Sequence, residues 1–352
     1  MARSNVFKII LFALGILAVA LSAHAGLIDN QGMLLVGFGG IMSNAGVRVI
    51  DPILSNVAQG YKQPDLVGGI LFPTVPVSVS GGQIIEFGKE AFYTYNLRRQ
   101  PGGPTKRIQF GYLGKPYSLL QDSVEASVPR EWMRDASRVP GIDLGSRAVI
   151  LGMKVVKKSL EADQATLATT AGNYDSAHKV TLSGASLWSA ATGNPLTDID
   201  TGREAIRAST GAYPNVLLLS AKAFNACKNN PNVIGRFQYN NNVAIDGTAI
   251  TAAMLAGLFN VDQVVVGKAL SMTDAGVSSD VWGNNAILAY SNLGSMNAEE
   301  PSFGYTYTME GNPMVEPAYW DANTKSWVYP VNYEREPVLS GITSGYLIVT
   351  PA

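Results

Sequence analysis

Apolar and polar side chains alternate in two runs between Gln83 and Tyr112, QIIEFGKEAFYTYNLRRQPGGPTKRIQFGY. On the outward run Tyr93, Tyr95 and Leu97 interleave with Thr94, Asn96 and Arg98; on the return Ile108, Phe110 and Tyr112 interleave with Arg107, Gln109 and Gly111. A period of two is the period of a strand. Between the runs, Pro101-Gly102-Gly103-Pro104 supplies a reversal that cannot continue a ladder. The stretch predicts a long hairpin whose limbs extend ~35 to 45 Å at about 3.3 Å per residue. A two-stranded ribbon is only marginally stable alone in water, so it either folds back on its own domain or lies on a neighbouring subunit. Its tip gathers Arg98, Arg99, Lys106 and Arg107, which read either as a solvated turn or as a contact surface.

Upstream, Pro52, Pro64, Pro73 and Pro76 divide Val47 to Pro76 into short apolar pieces, an extended arm with one helical turn near Asp51 to Gln59. Downstream, Tyr117 to Val128 leads into Pro129-Arg130-Glu131-Trp132, a short helix with Pro in its first turn. Asp143 is placed to cap a helix running to about Thr170, ahead of Gly172. Leu144, Ala148, Leu151, Val155 and Ala162 form one helical stripe, and Val149, Met153, Val156, Leu160 and Leu167 an adjoining one. So broad an apolar face predicts burial on more than one side. At 1.5 Å per residue the helix is ~40 Å long, a spine for its domain, with Lys154, Lys157 and Lys158 on the solvated side.

Ala190 to Glu300 mixes short strands and helices. Thr201-Gly202-Arg203-Glu204 fits a capping box, Val216 to Leu219 reads as a strand, and Ser220 caps a helix over Ala221 to Lys228. Thr251 to Phe259 is helical in pattern, while Val264 to Val266 and Ala286 to Tyr290 are strands. This is a compact α/β unit. In the tail Phe303, Tyr305, Tyr307 and Met309 alternate with polar or small residues and Gly311-Asn312-Pro313 turns the chain. Met314 to Glu316, Ser326 to Tyr329 and Tyr346 to Val349 are then expected to complete an antiparallel sheet under the spine.

Composition narrows what such a fold does. In 352 residues, 47% hydrophobic against 15% charged describes a folded chain, and a net charge of −1 gives no field that would gather nucleic acid over the surface. One cysteine, Cys227, and two histidines, His24 and His178, exclude a disulfide framework and a Cys/His zinc site. Cys227 reads as a small buried residue and His178 as a loop residue, the only histidine outside the leader that a catalytic triad could use. Gly82 to Lys89 misses the phosphate-loop spacing and ends in Glu90 where Ser or Thr is needed, and no nucleophile elbow occurs. Asp198, Asp200 and Asp246, or Glu299 and Glu300, lack calcium-loop spacing and read as caps or surface. Tyr319, Trp320, Trp327 and Tyr329 read as strand packing in preference to a ligand platform. No catalytic residue, cofactor or metal is expected.

Arg3 and Lys8 precede the apolar run Ile9 to Leu21 and then Ala23-His24-Ala25, the layout of a secretory signal. As a helix that run spans ~20 Å, short of the ~30 Å hydrocarbon core, so a cleaved signal or an interfacial anchor is expected before a permanent spanning helix; with the leader removed or unused, no stable membrane association is expected. Met42 opens the ordinary start MSNAGVRVIDPILSN. Residues 1–41 are expected to be a signal-like or spurious extension.

The segments IDPILSNVAQGY, LFPTVPV, the hairpin itself, VPREW, VPGIDLGSRAV, DIDTGREAIRASTGAYPN, DVWGNNAILAY and PSFGYTYTMEGNPMVEP, in that order, resemble the major capsid proteins of tailed bacteriophages and prophages. The resemblance runs from about Met42 to the C-terminus. It implies an α+β fold, the tailed-phage major capsid fold: an N-terminal arm (42–76), an extended β-hairpin loop (77–128), a peripheral domain in two parts (129–189, with the spine helix, and 301–352) and an α/β axial domain (190–300). It further implies a structural, non-enzymatic subunit of an icosahedral shell that self-assembles into hexamers and pentamers and encloses double-stranded DNA, contacted non-specifically. Assembly in the host bacterial cytoplasm, a place in the virion capsid, and scaffolding, portal and decoration proteins as further partners follow from the same resemblance. Under it the basic tip becomes an inter-subunit contact. Two other readings stand beside it: an exported bacterial surface or binding protein, suggested by the leader and the strand-rich tail, and a cargo-enclosing nanocompartment, which shares the capsid fold.

Overall fold

The computed structural model describes residues 66–85, 98–99, 101, 114–138, 143–241, 249–272, 276–291 and 302–352. The leader, Met42, the arm as far as residue 65, and His24, Asp246, Glu299 and Glu300 lie outside them. The described chain opens on a one-turn helix, α1 (Gly68–Leu71), and a short strand, β1 (Thr74–Val77). The ribbon is seen at its root, where β2 (Gly81–Ile85) pairs antiparallel with β3 (Gly114–Ser118), Gly81 opposite Ser118 and Ile85 opposite Gly114. β4 (Leu120–Pro129) follows after one residue, and Pro129 stands at the N-cap of helix α2 (Arg130–Ala136), just before the first turn in which the sequence places it.

The spine is helix α3 (Leu144–Thr169), 26 residues, begun where Asp143 predicts. The Asp143 carboxylate accepts from Gly145 N at 2.9 Å and from the Ser146 hydroxyl, which holds it below the usual carboxylate range. The stripe Val149, Met153, Val156 is buried as expected, but Leu151 and Val155 of the other stripe are 59% and 53% exposed. Burial on more than one side is therefore corrected: over its first three turns the helix is covered on one side.

Two sheets share this helix. Its N-terminal half packs on the larger sheet through Val149 and Met153, which meet Val128, Tyr329 and Val331. Its C-terminal half presents Ala165 and Ala168 to Leu218, Ile287 and Leu347 on the back of the second sheet. That second sheet is built from β5 (Lys179–Thr181), then helix α4 (Pro195–Thr210), β6 (Val216–Ser220), helices α5 (Ala221–Asn229), α6 (Pro231–Asn241) and α7 (Ala252–Phe259), and β7 (Gln263–Gly267). A small hairpin, β8 (Leu270–Met272) with β9 (Ser278–Asp280), leads to β10 (Asn285–Ala289). Ser220 caps its helix by accepting from Ala223 N, as the sequence indicates, and Thr251, read there as the first helical residue, is the cap of α7 and accepts from Met254 N. The capping box at Thr201 is not one: α4 begins two turns earlier, at Pro195, which suits a first helical position because it has no N–H to leave unpaired. Thr201 instead donates back to Thr197 O, and Gly202 lies where a Cβ would stand 2.7 Å from both Leu288 and Tyr346. Glycine at that position lets the helix lie on the sheet.

The tail supplies β11 (Gly304–Met309), β12 (Met314–Val315), β13 (Tyr319–Asp321), the 14-residue β14 (Ser326–Leu339) and β15 (Gly345–Val349). β14 organises the larger sheet, pairing antiparallel with β4 over ten residues and with β11, β12 and β13, while β1 runs parallel to β11. The expectation that Tyr346 to Val349 joins this sheet is overturned. β15 lies between β5 and β10, giving the order β5-β15-β10-β6-β7 in the second sheet. The physical reason is its composition: Tyr346, Leu347 and Ile348 form an uninterrupted apolar run, which suits a strand covered on both faces, and a one-sided sheet calls for alternation.

Candidate intersubunit surface

The ribbon is fixed at its root. Tyr117 of β3 stacks on Tyr307 of β11 at 4.7 Å, and a Cβ on Gly82 would come within 2.8 Å of the Tyr117 ring, so the facing limb carries glycine there. Burial pushes the Tyr307 hydroxyl up to about 12. Of the four basic tip residues, Arg98 and Arg99 are exposed; Lys106 and Arg107 lie outside the described residues.

Between β4 and the spine the surface is apolar. Leu151 and Val155 of the spine, with Leu144, Val124, Val128 and the 65% exposed Trp132, line an open groove of about 490 Å³ between β4 and α3. Leu151 and Val155 stand in the sequence as part of a stripe expected to be buried, and their exposure is the departure from it. A second apolar patch caps the β8–β9 hairpin, where Leu270, Met272 and Val277 are exposed. Trp320 and Trp327 face each other across β13 and β14 with rings edge to face at 5.6 Å, the strand packing expected of them.

Charge is concentrated where β4, α3 and β14 meet. The buried Arg335 side chain donates to Asp122 of β4 and, at 3.3 Å, to Asp163 of α3. Burial lifts the Asp163 carboxyl above its usual range against the pull of Arg335, and burial with the nearby Asp163 does the same for Glu336. Arg335→Met is expected to cost about 2 to 3 kcal/mol, less than for a fully buried pair because both acids are half-exposed. It should also change the pH profile. Carboxyls titrating higher in the folded state than in the unfolded chain bind protons preferentially when folded, so stability falls as pH rises above about 4 and levels off past the folded values. Without the guanidinium those values rise further. Urea melts at acid and neutral pH should show a larger loss in the variant than in the wild type; equal losses would contradict this account.

Glu161 is the most interior acid of the spine. Its carboxylate accepts from Val67 N at 3.0 Å, Gly68 N at 2.8 Å and the Trp282 indole at 2.7 Å. Burial raises its pKa and the three donors oppose the rise. Glycine at 68 permits the close approach, since a Cβ would lie 2.8 Å from Glu161 Oε2.

His178 lies in the loop before β5, as the sequence indicates, and is buried there: its Nδ1 lies 2.7 Å from Asp175 Oδ1 and its Nε2 3.0 Å from Ser209 Oγ. The residue types are those of a hydrolase triad, but the setting is not. Ser209 occupies the last turn of α4, where free carbonyls gather and no N–H pair is presented to an oxyanion, and the acid is the exposed member. The chain of bonds ties the end of α4 to the turn before β5. Cys227 is buried and its thiol pushed up to about 12 by burial, in keeping with a core role. Asp198 accepts from the Trp188 indole and Asp200 pairs with Arg203; among the described residues no group of three or more His, Cys, Asp or Glu is placed to hold a metal ion. Among them, too, no helix is long and apolar enough to cross a membrane.

The spine shared by two sheets, with the paired root of the ribbon, is the arrangement of the phage capsid fold. The capsid structure of cyanophage P-SCSP1u shares this fold, with a TM-score of 0.51 at 9% identity over 92% of this chain and 97% of that one. A phage-related protein of Bordetella bronchiseptica RB50 is much nearer, with a TM-score of 0.72 and 45% identity over 86% of this chain and 98% of its own. The sequence profile of the family described as phage major capsid protein E matches residues 148–331, just over half of the chain. The major capsid protein of Burkholderia phage BcepMu is 31% identical over 306 residues, 86% of this chain and 96% of that protein. The chain belongs to the phage major capsid protein family, and it is a structural, self-associating component of a phage capsid, not an enzyme.

Proposed function

We propose that this subunit assembles as pentamers and hexamers into an icosahedral shell around double-stranded DNA, in the host cytoplasm, and that its ribbon reaches a neighbouring copy. The observation that carries this is the uncovered stripe of Leu151 and Val155 beside Trp132, apolar surface on an otherwise well-packed helix. Family membership favours it over an exported binding protein or a cargo compartment. The arm (42–76), extended loop (77–128), peripheral parts (129–189 and 301–352) and axial domain (190–300) divide the work: the exposed β8–β9 hairpin suits contact around a symmetry axis, and the loop suits contact between neighbours. The enclosed DNA is contacted non-specifically, and the net charge of −1 supplies no field that would draw the duplex over the whole subunit. Scaffolding, portal and decoration proteins complete such a shell.

The basic tip gives the test. Reversing Arg98, Arg99, Lys106 and Arg107 to glutamate removes pairs worth only ~0.2 to 1 kcal/mol each at exposed sites, but the loss recurs at every subunit. Circular dichroism of the subunit is expected to be unchanged while the yield of closed particles, counted by electron microscopy, falls several-fold. Normal shells with normal yield would remove the tip from the contact.

A further inference from the structure

The crest of the spine helix, the side turned away from its sheet, is basic. Between Leu144 and Leu160 the helix carries Arg147, Lys154, Lys157 and Lys158 and no acidic residue. At 3.6 residues per turn Arg147, Lys154 and Lys158 fall within about 40° of one another, opposite the buried stripe of Val149, Met153 and Val156. All three are exposed. Leu151 and Val155 lie on the flank between this crest and β4. Like charges at i and i+4, as at Lys154 and Lys158, destabilise a helix unless an anion answers them. Among the described residues no carboxylate forms an ion pair with Arg147, Lys154 or Lys158. Glu161, three residues beyond Lys158, is turned inward to Val67, Gly68 and Trp282, and Asp122 and Asp163 are held by Arg335. The far side of the sheet has the other sign. Positions of β4 and β14 that point away from the helix include Glu125, Glu334 and Glu336 and no lysine or arginine. The layer thus attracts a polyanion on its helix side and repels one on the other, although the whole chain carries only −1.

We propose that the crest of the spine is the surface on which the enclosed duplex lies, with Arg147, Lys154 and Lys158 on its phosphates, so that the helix side of the larger sheet faces the interior of the shell. This rests on the reading that the shell encloses DNA, and it names the face that meets it. Two features select a duplex as the occupant. The three cations form one row ~16 Å long at 1.5 Å per residue, and a duplex presents about nine phosphate charges over that length. Two of the three are lysines, compact charges on flexible stems, which meet phosphate without reading base edges and so suit a partner of arbitrary sequence. The contact between neighbours and the contact with DNA do not compete. Leu151 and Val155 open over the groove beside β4, while the cations point away from the sheet.

The test compares the full-length wild type with the triple variant Arg147→Gln, Lys154→Gln, Lys158→Gln in binding a short fluorescent duplex of random sequence across a salt series. Three phosphate contacts contribute a slope of about −2.7 to log K against log salt, so between about 50 and 200 mM the wild-type affinity should fall roughly fortyfold further than the variant's. Gln is close to Lys and Arg in helix propensity, so the variant should melt no lower than the wild type. The same exchange at exposed Lys222, Lys268 and Lys325 should leave the slope unchanged. In DNA-filled particles, formaldehyde should join nucleotides to Lys154 and Lys158 at on the order of tenfold the level at exposed Lys222, because phosphate contact holds their amines at the duplex. A triple variant with the wild-type slope, or filled particles whose adducts avoid Lys154 and Lys158, puts the duplex elsewhere and overturns the proposal while the DNA-enclosing shell stands. Attachment of these lysines to protein in place of DNA makes the crest a protein contact and overturns it as well. Closed particles that hold no duplex would overturn the reading on which it rests.

Discussion

Glu161→Leu is expected to lower the stability of the isolated subunit by about 3 to 5 kcal/mol, a large share of the 5 to 15 kcal/mol typical of a folded domain. Three buried donors lose their acceptor at once: the backbone N–H groups of Val67 and Gly68 and the indole of Trp282. Each unsatisfied buried donor costs about 1 to 3 kcal/mol, and removing a carboxylate that burial disfavours returns part of the sum. Glu161→Gln keeps one carbonyl acceptor but turns an NH₂ toward the remaining donors, so it should fall between the leucine variant and the wild type. Urea denaturation with an unchanged slope measures both. A leucine variant with the wild-type midpoint would mean that the three hydrogen bonds contribute nothing net. The site matters beyond its energy because it joins three parts of the chain: the entry to α1, the spine, and the turn into β10.

Local chemistry made the helices legible in advance. Asp143 and Ser220 are caps because short polar side chains reach free N–H groups, and each marks a helix start in the structure. A hairpin opening near Gln83 agrees with the antiparallel root, although its return limb is seen at Gly114–Ser118, beyond the Tyr112 at which the sequence reading ends it. What escaped was set by partners distant in sequence. The ten-residue pairing of β4 with β14 joins segments some two hundred residues apart, and the departure of β15 to the second sheet depends on what covers its two faces. Glu161 carried a weak signal, since it stands four residues before Ala165 and eight after Met153, on the buried stripe. A glutamate or glutamine at such a position announces an internal partner, here Trp282 for Glu161 and Thr306 for Gln164. The candidate surface was half legible: the basic tip is a local cluster, but Leu151 and Val155 were expected to be covered by their own subunit, because a stripe pattern does not say which molecule covers it.

The double substitution Leu151→Asp with Val155→Asp should therefore leave the subunit folded and stop it assembling. Both side chains are more than half exposed in the subunit, so replacing them empties no core; the cost to the monomer is helix propensity, about 0.5 kcal/mol per site, with some repulsion between carboxylates at i and i+4. In the shell the same positions are expected to be covered. Burying a Leu or Val side chain contributes about 1.5 to 3 kcal/mol when complete, and placing a carboxylate in that contact adds a desolvation penalty. A deficit of about 3 kcal/mol per contact lowers its equilibrium constant by roughly a hundredfold. A closed shell repeats the contact in every subunit, so particle formation should fall below detection at concentrations where the wild type assembles fully. Analytical centrifugation separates particles from free subunits, and a melting curve on the free fraction checks the fold. Leu151→Met with Val155→Ile, which preserves apolar character, should restore particles. If the double aspartate variant assembles at the wild-type concentration, the stripe faces solvent in the finished shell, and the apolar groove has no part in holding neighbours together.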